Sequence, residues 1–395
     1  MKKVCMMTSE ESFLTNFGAA LQGFALYKTV KDAGYDVDIQ RYLGGVLDVD
    51  VKHETGIKRI FNYSLSEIYL KCLFRVGKVA HKKGVMQQRA LFQAFQDELM
   101  SFYPGKRKTW KTLKDDFPEA DMYLCGSDQI WNPVFKDGYN DHGYFLGFTE
   151  NNKISYAPSF GVSDIPETAQ KDLDKLLKSF DYISVREKAG AEIIKKYTNR
   201  EATVVLDPTL LIDSEEWEKI AAVPQNIPEK YMLCYRFGNS LEVNKKIKKI
   251  SKLLGLPILE LPLSGISYLN RGEQRIFEAG PKEFVGLIKN ATLVCTDSFH
   301  ATVFSILMET PFVTFLRGEA AKKGEGMNSR VTNLLGILGL QNRISGNMDL
   351  SNKSDLMDVT FDDAKEILKE NKQESLEWLM NALRGVEIKD GEQNK

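Results

Sequence analysis

The chain has 395 residues, more than a single hydrophobic core usually organises, so two domains are expected. Its 43% hydrophobic and 27% charged residues are ordinary for a globular protein, and a formal net charge of -1 excludes any global case for a nucleic-acid partner. No apolar run is long enough to span a bilayer, and MKKVCMMTSEES meets acidic residues too early for a signal peptide, so a cytoplasmic protein is expected.

Strand-like runs alternate with helical patterns along most of the chain, the mark of parallel α/β sheets. Strands are expected at 3–8, 36–42, 122–125, 153–157, 182–185 and 203–206, with helices near 18–33, 85–100 and 188–197. The stretch 64–83 differs. Leu65, Ile68, Tyr69, Cys72, Leu73, Val76 and Val79 follow helical spacing, and Lys71, Arg75, Lys78 and Lys82 fall on another face. Such a helix can make peripheral contact with an anionic membrane; the preferred reading is that the apolar stripe packs on the domain. The pattern loosens at 213–228, which holds two prolines and reads as a connection between domains.

A second series follows, with strands at 231–237, 257–261, 293–296 and 312–315 and helices at 241–254, 281–289, 300–308 and 328–338. A last helical pattern, 363–384, is placed back against the first domain. The expected division is a first domain at 1–212 with a basic amphipathic insertion at 52–83, a second at 213–362, a returning helix at 363–385 and a disordered tail at 386–395. The five cysteines are widely spaced without a CxxC pair, and four lie in strand-like runs, as small buried residues of a reduced protein would.

Polar clusters recur where strands should end, which is where ligands bind in open α/β sheets. Asn16 and Gly18 open a helix after the first strand; glycine permits close approach, and free N–H groups favour an anion. The plainer reading is an N-capped helix. GSDQIWNP presents Asp128 at a sheet edge, as a general base or a turn residue, and Trp131, which could stack on a sugar or fill the core. Arg186 follows a strand and suits bidentate carboxylate or phosphate recognition, unless it is a surface residue paired with Glu187 or Glu192. In the second half Arg236, Asp297, Ser298, His300 and Arg317 follow strands, and Arg330 lies near a helix start, where an anionic ligand would offset the unfavourable dipole. Between Arg317 and Arg330, GEAAKKGEGMNS reads as a mobile loop. Asp297 and Ser298 are read first as caps, and His300, at a strand–helix changeover, either packs or carries chemistry.

The ordered stretches NFGAALQGFAL, GSDQIWNP, YFLGF with KISYAPSFG, ISVREKAG, VVLDPTLLI, LVCTDSFHATVFSILMETPF and NSRVTNLLGILGL resemble the polysaccharide pyruvyl transferase family, over about 16–340. The resemblance implies an α/β fold of two Rossmann-like domains facing a cleft, like that of GT-B glycosyltransferases. The implied reaction moves pyruvate from phosphoenolpyruvate onto two hydroxyls of a sugar, giving a cyclic ketal and phosphate with no metal and no cofactor. The acceptor would be a sugar or a lipid-linked oligosaccharide in exopolysaccharide or capsule synthesis, at the inner face of the membrane. Carried over, the acid of the GSD motif is Asp128, the SxRE arginine is Arg186 and the SFH histidine is His300, as general acid or phosphate ligand. Some members carry arginine where this chain has Ser298, so the missing cation is sought in Arg330, then Arg317 and Arg236. Two rival readings remain: a nucleotide-sugar glycosyltransferase, for which Glu309 is the offered ribose-gripping carboxylate although it reads first as an exposed residue near a helix end, and a non-catalytic carbohydrate-binding protein using Trp131 and Tyr156.

Overall fold

The computed structural model describes residues 1–13, 15–44, 65–136, 138–268, 273–318 and 325–392. Two wholly parallel sheets organise them. The first contains β1 (Lys3–Met7), β2 (Asp36–Ile39), β3 (Met122–Cys125), β4 (Lys153–Ser155), β5 (Phe180–Val185) and β6 (Thr203–Val204), in the order β2-β1-β3-β4-β5-β6. The second contains β7 (Met232–Tyr235), β8 (Ile258–Leu261), β9 (Gln274–Arg275), β10 (Leu293–Thr296) and β11 (Phe312–Thr314), in the order β11-β10-β7-β8-β9. Helices cover both faces, which is why central strands such as VCMM and LVCT read as unbroken apolar runs rather than alternating ones.

In each sheet the strand order reverses once, between β1 and β3 in the first and between β7 and β10 in the second. A crevice opens at such a switch, because successive crossovers leave in opposite directions. The helix α1 (Phe17–Asp32) follows β1, with Asn16 as its N-cap accepting from the Ala19 amide. From α1 a continuous apolar core crosses into the second unit. Phe17 stacks on Phe284 at 4.7 Å and meets Tyr235 edge-on at 5.5 Å, while Trp217 bridges Phe24 and Phe304. Trp217 lies in a short helix, Ser214–Ile220, inside the stretch expected to be a loose connection; Glu215 and Glu216 in its first turn complement the helix dipole.

Two further helices, α2 (Leu65–Ala80) and α3 (Lys82–Leu99), carry the chain back toward the first sheet; the rest of the expected insertion, 52–64, lies outside the described residues. Helices α4 (Pro281–Lys289) and α5 (Phe299–Leu307) flank β10, and α6 (Glu325–Ile337) follows β11. Positions 319–324 of the expected mobile loop lie outside the described residues. The last helix, α7 (Asp362–Glu392), ties both units. Lys365 pairs with Glu309, Lys372 pairs with Asp213, the Leu206 amide donates to Ser375 Oγ, and Trp378 lies 6.2 Å from Tyr156. The helix continues past 385 into the stretch read from sequence as a tail, since no proline stops it; 393–395 lie outside the described residues.

Candidate active site

The two switch-point crevices face each other. Between them lies a cleft of about 410 Å³, lined after β1 by Ser9, Ser12 and Asn16, after β3 by Asp128 and Gln129, and from the second unit by Phe237, Ser298, Phe299, His300, Arg317 and Arg330.

The first wall is set by backbone geometry. Gly126 has φ of 148°, and a Cβ there would lie 1.9 Å from the Tyr156 carbonyl oxygen, so only glycine lets the chain turn beneath β4. Asp128 follows at φ 63°, a sparsely populated conformation for a non-glycine residue that is tolerated where the surroundings over-determine it. They do so here. The Ser127 amide donates to Gln22 Oε1, Ser127 Oγ donates to the Ala157 carbonyl, and the Asp128 carbonyl accepts from the Ser159 amide.

Behind Asp128 the ends of β5 and β6 supply a buried charge network. Arg186, with 3% of its side chain exposed, donates from Nη1 to Asp207 Oδ2 at 2.6 Å; it also approaches Asp128 at 3.6 Å and Glu187 at 3.8 Å. Burial opposes its charge, but Asp207, Asp128 and Glu187 together hold the guanidinium above its ordinary pKa. Burial alone would raise the Asp207 carboxyl; His300, Arg186 and Thr209 hold it instead well below the usual range. Asp207 Oδ1 accepts both the amide and the hydroxyl of Thr209. Glu187 Oε1 takes the Ser159 hydroxyl and the Phe160 amide.

The second unit brings His300 to this network. Ser298 caps α5 by accepting the Ala301 amide, which places Phe299 and His300 in the first turn. His300 is buried; its Nε2 lies 3.6 Å from Asp207 Oδ2, an ion-pair distance too long for a hydrogen bond. Its Nδ1 faces α1, where a Cβ on Gly18 would lie 2.0 Å away. Phe299 presents its ring to two cations, with the Arg186 guanidinium 4.9 Å and the Arg330 guanidinium 5.9 Å from its centroid. Arg330 is buried, and burial followed by the charge of Arg186 pulls its pKa down to about 10. Oriented with its amide oxygen inward, Gln129 accepts from both Arg330 Nη atoms, at 3.1 and 3.3 Å. Arg317 donates twice to the Asp297 carbonyl and covers the Phe237 ring at 4.4 Å.

The structure thus brings together Asp128, Arg186, His300, Arg330, Arg317, Ser298, Asn16 and Gly18. It does not bring Arg236, whose guanidinium turns back to Glu260 on the neighbouring strand, at 3.0 and 3.2 Å, and takes the missing cation's place nowhere near His300. Asp297 caps no helix; its carboxylate accepts the Phe237 and Gly238 amides. Glu309 pairs with Lys365 and does not line the cleft. Trp131 and Tyr156 are core residues, Trp131 stacked on Phe145 and Tyr156 donating to the Leu206 carbonyl. Asp207 and Phe299 emerge only from the structure, and the sequence offers Glu187 only as a surface partner of Arg186. Asp207 stands in VVLDPTLLI, but nothing in that string tells which strand end lies beside it.

Among the described residues, the buried atoms Arg186 Nε and Nη2, Glu187 Oε2, His300 Nε2 and Arg330 Nε have no hydrogen-bond partner. Unpaired buried polar groups are costly, about 1–3 kcal/mol each, and natural folds retain them mainly where function uses them. Of the five, His300 Nε2 and Arg330 Nε belong to residues that line the cleft, where a polar ligand could reach them, whereas Arg186 Nη2 faces Asp128 at 3.6 Å and Arg186 Nε faces Glu187 Oε2 at 3.8 Å behind it.

Two parallel α/β units closing a polar cleft between their switch points define a protein of the GT-B type. The chain belongs to the polysaccharide pyruvyl transferase family, whose family model matches residues 16–318. No curated protein sequence matches it. Among solved structures it is similar to the Methanocaldococcus jannaschii UDP-GlcNAc 2-epimerase in complex with UDP-GlcNAc and UDP, at 12% identity and TM-score 0.45, covering 94% of this chain and 99% of that one. It is similar also to a putative UDP-N-acetylglucosamine 2-epimerase from Listeria monocytogenes, at 9% identity and TM-score 0.48, covering 95% and 90%. MurG of Acinetobacter baumannii matches at 10% identity and TM-score 0.42, covering 96% and 100%.

Proposed function

We propose that the chain transfers the pyruvyl group of phosphoenolpyruvate to two hydroxyls of a glycan sugar, forming a cyclic ketal and releasing phosphate. Family membership supports a transferase, and the observation that carries this reading is the meeting of His300, Arg330 and Asp128 at one cleft, with Arg186 behind Asp128.

The donor is a small enol bearing a carboxylate and a phosphate. Arg330, repelled by Arg186 and poorly compensated, gains most from such an anion, and Arg317 lines the same cleft. The first turns of α1 and α5 add partial positive charge. His300, as imidazolium, gives a proton to the methylene carbon, and the adjacent carbon becomes electrophilic. A sugar hydroxyl adds there while Asp128 takes its proton. The C–O bond to phosphate breaks with the proton on Asp128 passing to the departing phosphate, a second hydroxyl adds to the same carbon with its proton returning to the imidazole of His300, and the ring closes. Asp207 faces the imidazole across 3.6 Å and sets the side of the cleft on which it lies.

The test is phosphate release from phosphoenolpyruvate in the presence of glycan acceptors, with ketal detection by mass spectrometry. His300→Ala and Asp128→Asn should each lower the rate by about 10²–10⁴-fold. A thermal shift with nucleotide sugars but none with phosphoenolpyruvate, and no acceptor-dependent phosphate, would overturn the reading in favour of glycosyl transfer.

A further inference from the structure

Helix α2 has three faces, and the fold accounts for one. Its inner face packs on the second unit. A Cβ on Gly265 would lie 2.0 Å from the Leu70 carbonyl oxygen, a Cβ on Gly77 would lie 2.6 Å from the Tyr268 ring, and Phe74 lies 6.2 Å from that ring. His81, just past α2, stacks on Phe277 at 4.8 Å. These contacts use Leu70, Phe74 and Gly77, not the stripe that sequence periodicity singles out.

With about 100° between successive helical residues, the other positions sort cleanly. Lys71, Arg75 and Lys78 form an exposed basic row, continued by Lys82. Next to it Tyr69, Cys72, Val76 and Val79 form an exposed apolar stripe, with Tyr69 58%, Val76 63% and Val79 76% exposed. Met86, 60% exposed, lies further along in α3. From 65 to 89 the sequence has six basic residues and one acidic one, Glu67, in a chain whose net charge is -1. Among the described residues no helix is long and apolar enough to cross a membrane.

We propose that this outer face docks on an anionic lipid surface, with the apolar stripe at the headgroup–acyl boundary and the basic row against lipid phosphates. Charge complementarity selects this occupant. A second copy would set two net-basic faces against each other, with Glu67 the one acid that 65–89 of either copy brings, whereas an anionic lipid surface complements that face. Long basic side chains beside an apolar stripe suit an interface, since their stems stay on apolar surface while the heads reach phosphate.

The location gives the docking a use. Leu70, on the inner face, lines a pocket of about 390 Å³ with Arg236, Asn239, Leu241 and Arg317, and Arg317 also lines the cleft. A glycan whose lipid end stays in the bilayer would reach the cleft past α2. That last step rests on the proposed pyruvyl transfer; the docking does not.

The experiment is co-sedimentation of the purified full chain with vesicles of phosphatidylglycerol in phosphatidylcholine, against phosphatidylcholine alone. Binding is expected to the anionic vesicles only, weakening as salt shortens the screening length. Val76→Asp with Val79→Asp, and separately Arg75→Glu with Lys82→Glu, should each lower partition about tenfold, with unchanged thermal midpoint because all four side chains are exposed. Phosphate release with a soluble acceptor should be unchanged in both, and its absence in every protein would count against the functional reading alone. No binding to anionic vesicles, equal binding by wild type and both variants, or a wild-type dimer that the valine variant dissolves without any lipid binding would overturn the docking.

Discussion

His300 can lie against the first turn of α1 because residue 18 has no side chain. Gly18→Ala would put a Cβ 2.0 Å from Nδ1, so the imidazole must move off the Asp207 side of the cleft. The expected result is a fall of about 10²-fold in phosphate release, since a 1 Å misplacement of a reacting group costs that much, against a stability loss of only about 1–3 kcal/mol. Full activity in the alanine variant would remove this contact from the site. Arg330 tests the opposite balance. Its pKa, pulled down to about 10, leaves it charged at neutral pH at a cost of up to ~3 kcal/mol, since each unit is worth about 1.4 kcal/mol. Arg330→Met should therefore raise the thermal midpoint while abolishing the stabilisation given by phosphoenolpyruvate; a lower midpoint would make Arg330 structural. Asp207 sets the acid limb. Its carboxyl lies well below its ordinary value in the fold, so the stability it contributes is present above about pH 4 and is lost as pH falls through the depressed value. Asp207→Asn should flatten that limb in pH-dependent denaturant melts, and an unaltered acid limb would contradict the pairing. Asp128, Arg186 and His300 were legible because each follows an apolar strand in sequence. Arg236 follows one too, but β7 pairs with β8 so that Cys234 lies opposite Glu260, and a carboxylate buried in ILEL captures the guanidinium. That capture depends on strand pairing, as does the adjacency of Asp207 to Arg186, and no local pattern contains either.

Elements were easier to read than their contacts. The central strands fall where apolar runs end in polar clusters, and β10 and the helix Leu241–Leu254 have the extents read from sequence. The helix Glu167–Leu177 has an equally plain stripe, Ala169, Leu173, Leu176 and Leu177, and is absent from that reading. Periodicity identified α2 as a helix but not which face would pack, because small and aromatic residues (Gly77, Phe74) made the contact while the valines faced outward. Helix α7 illustrates how an element far from the cleft supports it. Ser375 accepts the Leu206 amide next to Asp207, and Leu379, one turn on, is fully buried. Leu379→Ala should cost about 2–5 kcal/mol, as buried leucine truncations do, and should also reduce activity at temperatures where the protein is still folded. Ile247→Ala, in the outer core of the second unit, should cost comparable stability and leave activity intact. Equal residual activity in the two would show that α7 contributes stability only.

At the scale of the whole molecule, the contact between the two units decides how the cleft can move. Inter-domain faces are usually modest and polar, and units joined that way unfold and reorient independently. Here Phe17, Tyr235 and Phe284 form one aromatic cluster across the boundary, and Trp217 is wedged between Phe24 and Phe304. Aromatic pairs of this kind add about 0.5–1.5 kcal/mol beyond area burial. Separating the units would expose all of these rings together, so the two halves should melt as one. With Trp131 kept as the sole tryptophan in the first unit's core, or Trp217 at the boundary, denaturant curves from the two probes should coincide. Phe284→Ala should cost about 3–5 kcal/mol and pull the two curves apart, the boundary probe moving first. Wild-type curves that already differ would mean that the boundary is weaker than its packing implies. The cleft would then open by domain rotation rather than by the small local movements that a shared core allows.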